Sequence, residues 1–174
     1  MKKINLPLNE KTIESLQAGE EVLLSGKILT GRDQAHLRFV QALEKDQKLP
    51  VIMENQVIYY VGPTPAKPGQ PIGSAGPTTS SRMDKFTPKL LEAGLRGMIG
   101  KGPRNQQVID AIKQYKAVYF VCVGGAGAYL SKRIKSLKVI AYDDLGPESV
   151  KELMIEDFPV TVAIDSQGNN IFRL

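Results

Sequence analysis

The sequence predicts an α/β domain built on a partly parallel sheet. In the second half, short β-branched and aromatic runs such as 117–123 and 161–164 alternate with segments of helical apolar spacing such as 106–115. Hydrophobic residues make up 42% of the 174, enough for one domain with a buried core. The stretch 62–76 is too rich in Gly and Pro for helix or sheet, which inserts one long irregular loop into an otherwise regular chain. Residues 1–174 read as a single domain, and periodicity alone does not choose between a doubly wound sheet and another α/β architecture.

The elements follow in order. Residues 4–6 read as a short strand and 12–16 as a short helix. Residues 21–30, rich in Leu, Val and Ile, alternate imperfectly and form a strand ending at Gly31. Residues 33–45 place Ala35, Phe39, Ala42 and Leu43 on one face of a helix, with Asp33 as its cap. Residues 51–52 and 57–61 are short strands around the turn-like Glu54-Asn55. A helix at 83–93 and a brief strand at 97–99 come next. They are followed by a helix at 106–115, a strand at 117–123, a helix at 126–134 and a strand at 138–142. Pro147 stands where a first helical residue is favoured and opens a helix through Met154. Residues 161–164 and 170–172 make a terminal hairpin with Gly168 in its turn.

Composition narrows the function. The net charge is +5 and the pI about 9.3, but Lys and Arg are spread along the chain and interleaved with acids. Trp is absent and aromatics are 6%, which argues against a base-stacking surface. A basic balance also suits the collection of a dianionic substrate. No apolar run approaches the roughly 20 residues that span a membrane, and Met1-Lys2-Lys3-Ile4-Asn5 lacks the apolar stretch of a signal peptide, so a cytoplasmic location is expected. Cys122 is the one cysteine and lies in an apolar run, where a lone thiol behaves as a small hydrophobe. An iron–sulfur cluster takes three or four thiolates, so this chain cannot hold one by itself.

The most informative segment is Gly76-Pro77-Thr78-Thr79-Ser80-Ser81-Arg82-Met83-Asp84. Four hydroxyls and a guanidinium sit where a loop turns into the expected helix, a place that favours anions, and Arg adds a fork for carboxylate or phosphate. The same residues serve equally as ordinary helix caps. Two further cations stand in comparable settings. Arg32 follows Gly31 at a strand end, and Lys101 lies between Gly100 and Gly102, where backbone can approach a ligand closely. A salt bridge from Arg32 to Asp33, or a flexible basic turn at Lys101, accounts for each without a ligand.

A rival fingerprint is Gly125-Ala126-Gly127, which follows an apolar strand and opens a helix, with Asp143 in the position of a ribose-binding acid. Its third position is Leu130, too large for the close helix–strand contact that Gly permits there. The unit also lies late in the chain, with little room for the second half of a dinucleotide fold, and a tight turn without a ligand is the reading the residues favour.

Taken together and in order, six motifs resemble the landmarks of the class I, iron–sulfur fumarases and L-tartrate dehydratases, specifically their C-terminal domain or separate β subunit. They are Gly31-Arg32-Asp33-Gln34-Ala35-His36, Tyr60-Val61-Gly62-Pro63, the 76–84 segment, Gly100-Lys101-Gly102 with Arg104 and Gln107, Gly124-Gly125, and Ile155-Glu156-Asp157-Phe158-Pro159.

The resemblance implies a three-layer β/β/α swivelling domain with a mixed, partly parallel sheet. It also implies the β subunit of a two-subunit [4Fe–4S] hydro-lyase that hydrates fumarate reversibly to malate. An L(+)-tartrate dehydratase β subunit is the alternative, and a non-catalytic nucleotide- or anion-binding module is the alternative of another class. The implied cluster sits on a partner α subunit, where its open iron activates water as a Lewis acid, and no residue of this chain ligates metal. In the family pattern Arg32, Arg82 and Lys101 bind the substrate carboxylates and the Thr78 hydroxyl exchanges the C3 proton. Thr79, Asp84 and His36 support them, Asp84 by capping or by pairing with Arg82, and His36 by orienting Arg32, with a general base as its other reading. Asp143, Asp144, Glu156 and Asp157 receive no role.

Overall fold

The computed structural model describes residues 1–122 and 127–172; the Gly-Gly landmark and most of the dinucleotide fingerprint, at 123–126, lie outside them. Strand β1 (Lys2–Asn5) and helix α1 (Glu10–Ser15) precede the long strand β2 (Glu21–Thr30). Helix α2 (Asp33–Glu44) leads to β3 (Val57–Tyr59), and after the Gly/Pro loop come α3 (Thr87–Glu92) and β4 (Gly97–Gly100). Helix α4 (Gln106–Tyr115), β5 (Val118–Cys122), α5 (Gly127–Ser131), β6 (Ile134–Ala141) and β7 (Val150–Ile164) complete the chain. Asn9 caps α1 and Asn105 caps α4, each accepting from the backbone N–H three residues on. Among the described residues no helix is long and apolar enough to cross a membrane.

The sheet is mixed and closes on itself. Strands β2, β3, β4 and β5 run parallel in that order, and β1 runs parallel along the first half of β2. The 15-residue β7 is antiparallel to its neighbours. One of its edges pairs with β2, the other with β6 through its first half and with β5 through its second. The ring β2-β3-β4-β5-β7 is thereby complete, with β1 and β6 as flanking strands. Pro159 has no N–H to donate, and it falls in the stretch of β7 between its β6 and β5 partners.

Both faces of the parallel strands are buried, which is why they read as unbroken apolar runs. Val57, Tyr59, Val118 and Phe120 join one core cluster with Val22, Leu24, Phe158 and Val160. Ile58, Tyr60, Met98 and Tyr119 point the other way into a second cluster, with Phe39 of α2, Leu90 and Leu91 of α3 and Ile112 of α4. Truncating a fully buried ring such as Phe39, Phe120 or Phe158 to Ala costs about 3–5 kcal/mol.

Four expectations are corrected. The helix expected over 83–93 is a 3₁₀ turn at Ser80–Met83 followed by α3, because Pro88 fits only the first turn of a helix. Residues 51–52 form no strand, and Ile52 is exposed. Helix α5 stops at Ser131, and Ile134 already belongs to β6. The helix expected from Pro147 to Met154 is a 3₁₀ turn, Asp143–Glu148, and then the start of β7. Ladder partners on both edges outweigh the helical propensity of Glu148–Met154.

Candidate functional site

Strands β2, β3, β4 and β5 are parallel, so their carboxyl ends share one rim, the usual place for a ligand in such sheets. Arg32 follows β2, Gly62 follows β3 and Lys101 follows β4 on this rim. The 78–82 segment is laid across them from the Gly/Pro loop. Its anchors are backbone bonds: Thr78 N–H donates to Tyr60 O at 2.7 Å, and Ser80 N–H donates to Lys101 O at 3.0 Å. Thr79 and Lys101 form a parallel bridge.

Arg32 is the residue before α2 and makes no capping side-chain bond. Its guanidinium lies against Gly62, where a methyl group would overlap it. Its Nε is buried and has no partner among the described residues. Asp33 does not cap the helix; its Oδ2 accepts from Arg82 Nη2, and Oδ1 is buried and has no partner among the described residues.

His36 is fully buried behind Arg32, its ring against those of Tyr60, Phe86 and Phe39. Its Nδ1 lies 2.8 Å from Arg32 O, which can only accept, so the proton is on Nδ1 and Nε2 is the acceptor nitrogen. Nε2 is buried and has no partner among the described residues. Burial pushes its pKa down to about 4, so the ring is neutral near pH 7. The geometry presents His36 as a support for the Arg32 carbonyl, with its one basic nitrogen enclosed.

Beneath the 78–82 segment lies a buried polar network. Ser80 is fully buried, and its Oγ accepts from Lys101 N–H at 3.0 Å and lies 2.7 Å from the Tyr119 hydroxyl. Gly100 makes room for Ser80, since a side chain there would overlap Ser80 Oγ. Asp84 pairs with Arg104, not with Arg82: Oδ1 accepts from Arg104 Nε at 2.6 Å and Oδ2 from Asn105 N–H at 2.9 Å. The partner of Arg82 is Asp33, so the expected Asp84–Arg82 pair is corrected. Thr79 is exposed, and it precedes the 3₁₀ turn without a capping side-chain bond.

The structure therefore brings Arg32, Thr78, Arg82 and Lys101 onto one open rim, with Arg82 and Lys101 exposed. A cavity of about 570 Å³ lies elsewhere, between the Gly/Pro loop at Thr64–Ser74 and the α5–β6 junction. Sequence reasoning gave no role to Arg104 or Gly62 and read Asp33 as a helix cap or a partner of Arg32; the contacts they make span 20 to 49 residues and leave no local pattern. The dinucleotide unit is not formed, because β6 follows α5 but pairs antiparallel with β7 and is separated from β5 by it. Asp143 lies in an exposed 3₁₀ turn. Among the described residues no group of three or more His, Cys, Asp or Glu is placed to hold a metal ion.

Comparison with known proteins follows the same lines. A family model described as Fumarase C-terminus matches residues 1–174. The chain is 36% identical over 174 residues to a protein named "Fumarate hydratase class I, aerobic" from Escherichia coli (strain K12), covering 98% of this chain and 32% of that protein. It is 35% identical over 177 residues to "Fumarate hydratase 1, mitochondrial" from Leishmania major, covering 99% of this chain and 32% of that protein. It thus spans about a third of the length of these two relatives. It is also 35% identical over 172 residues to "Putative L(+)-tartrate dehydratase subunit beta" from Methanocaldococcus jannaschii, covering 95% of this chain and 88% of that protein.

Proposed function

Because the chain belongs to the Fumarase C-terminus family, we propose that it is the β subunit of a two-subunit hydro-lyase that reversibly hydrates fumarate to malate. The observation that carries this is the placement of Arg32, Arg82, Lys101 and Thr78 on one rim of parallel strand ends. Three cations suit a dianion. Arg32 and Arg82 offer planar forks that orient a carboxylate, and Lys101 adds a mobile point charge. The relative named as a tartrate dehydratase subunit beta is covered over 88% of its length, which supports the reading of a separate subunit.

In hydration, the oxygen of water bonds to one alkene carbon and a proton is delivered to the other, C3. The Thr78 hydroxyl is assigned that proton transfer, and in dehydration it takes the C3 proton back. A Thr hydroxyl is a weak acid and a weaker base, so the neighbouring cations and a partner carboxylate must activate it. Arg32, Arg82 and Lys101 also stabilise the negative charge that spreads into the adjacent carboxylate while C3 is carbanion-like. His36, neutral and enclosed, holds the Arg32 carbonyl and stays out of the proton transfer. Thr79 contributes its backbone bridge to Lys101.

The residues of this chain do not fit an iron–sulfur cluster. Cys122 is the single thiol, its pKa is pushed up to about 12 by burial, and it lies 3.8 Å from the Tyr59 hydroxyl. A [4Fe–4S] cluster is therefore assigned to the α subunit. The same proposal makes residues 1–174 one domain of the three-layer β/β/α swivelling type, in a cytoplasmic heteromer. L(+)-tartrate is the second reading for the substrate, favoured by the name of the Methanocaldococcus relative. Carboxylate-binding residues do not separate the two substrates, which differ in hydroxyl count and not in charge.

The test is to mix this chain with a reconstituted, cluster-bearing partner and assay both substrates. Activity is expected only in the mixture. Stoichiometric cluster on this chain alone, or NAD binding by the isolated chain without hydro-lyase activity in the mixture, overturns the proposal.

A further inference from the structure

Arg104 has no place in the chemistry above, yet its side chain is fully buried under the rim. It follows the Gly100-Lys101-Gly102 loop and immediately precedes Asn105, the cap of α4. Its Nε donates to Asp84 Oδ1 at 2.6 Å, and Nη2 donates to Thr87 Oγ1 at 2.8 Å and to the Tyr60 hydroxyl at 3.2 Å. The guanidinium carbon lies 4.8 Å from the Tyr119 ring centroid and 5.3 Å from that of Tyr60. One planar cation thus lies close to two aromatic rings and is bonded to two segments of chain, Tyr60 just after β3 and the Asp84–Thr87 stretch.

Each contact leads back to the rim. The Tyr60 carbonyl takes the Thr78 N–H. The Tyr119 hydroxyl reaches Ser80 Oγ and the Gly102 carbonyl, both at 2.7 Å, and so holds the residues that bracket Lys101. Asp84 stands two residues beyond Arg82. Stability alone is a poor reason for this arrangement, because replacing a buried ion pair by apolar residues is often neutral or favourable. What apolar residues could not do is fix these polar segments at set distances. We infer that Arg104 is a positioning residue, which sets the spacing between the Thr78–Arg82 segment and Lys101.

Arg104→Lys is the informative variant. It keeps a positive charge opposite Asp84 but loses the planar fork and its contacts with the Tyr60 and Tyr119 rings. In the purified chain, amide hydrogen exchange at Thr78, Ser80 and Lys101 should speed up at least about tenfold, the scale of one lost charged hydrogen bond. Leu24 in β2 and Val160 in β7 should exchange as before. If Arg104→Lys does not fold, Tyr119→Phe cuts the link to Ser80 and Gly102 alone and should accelerate Ser80 and Lys101 in the same way. Unchanged exchange at the rim amides, or equal acceleration throughout the sheet, overturns the inference.

The kinetic consequence rests on the proposed function. In the assembled enzyme Arg104→Lys should lower kcat/KM at least about tenfold. If the wild-type assembly turns over neither dicarboxylate, the functional reading falls, while the exchange result still decides the role of Arg104.

Discussion

Asp33, the first residue of α2, accepts a hydrogen bond from Arg82 Nη2 and ties that helix to the 3₁₀ turn 49 residues further on. The pair fixes one proposed substrate cation next to the other, since Arg32 precedes Asp33 in the chain. Both side chains are partly exposed, at 47% and 34%, so the ion pair adds only about 0–1 kcal/mol to stability. Its consequence is one of position.

Asp33→Asn should therefore change unfolding stability by less than about 1 kcal/mol. In the assembled enzyme it should raise KM severalfold, because Arg82 is no longer held in place. Arg82→Ala should lower kcat/KM by about ten- to a hundredfold, the scale of a lost charge-assisted contact. Steady-state kinetics beside a denaturant titration separates these effects, and near-wild-type turnover for Arg82→Ala removes the central residue of the site.

At Thr78 the anchor seen is a backbone bond to Tyr60, which survives any side-chain substitution except Pro. Thr78→Val keeps the shape and loses the hydroxyl. It should cut kcat and kcat/KM alike with KM little changed, as expected of a group acting in the transition state. Exchange of the substrate C3 hydrogen with solvent is an independent measure. Exchange at the wild-type rate in Thr78→Val would show that another group carries the proton.

A methyl group at Gly62 overlaps the Arg32 guanidinium. Gly62→Ala should displace that side chain and lower kcat/KM at least severalfold. The obstruction is met by the end of a flexible side chain, so the melting temperature should hardly move. Arg32→Ala should show the same kinetic defect, and combining the two should add little, because both act through one guanidinium. Additive losses in the double mutant contradict this coupling.

Acid should destabilise the fold through His36. Burial holds its folded-state pKa at about 4, below the ordinary value of 6.5. As pH falls below 6.5 the unfolded chain takes up the proton first, so stability is lost progressively until the folded pKa is passed. The span corresponds to about 3 kcal/mol. His36→Asn can keep a donor toward Arg32 O and removes the titration. Denaturant midpoints at pH 7 and pH 4.5 should differ less in the variant than in wild type. Equal pH dependence in the two proteins assigns the loss to other groups.

Strand β2 and helix α4 were legible to the residue, because their apolar spacing agrees with the cores they meet. The 83–93 segment was misread because its helical spacing hides the start imposed by Pro88. The start of β7 was misread for the opposite reason. Glu148–Met154 carries good local helix formers, and only the ladders to β2 and β6 turn it into strand. At the site, Arg32, Thr78, Arg82 and Lys101 stood out as chemistry in unusual backbone settings. Their partners did not, since charge pairing leaves no periodic trace.

By itself the sequence determined the α/β class, the ordered motifs of its family and that the chain offers a single thiol. These follow from residue type and spacing, which are local properties. Tertiary structure alone decided that the sheet closes through β7, that Arg82 answers to Asp33 and that Asp84 answers to Arg104. Each joins segments distant in sequence, where the geometry of the folded sheet, and not the order of residues, determines which opposite charges and which strand edges meet.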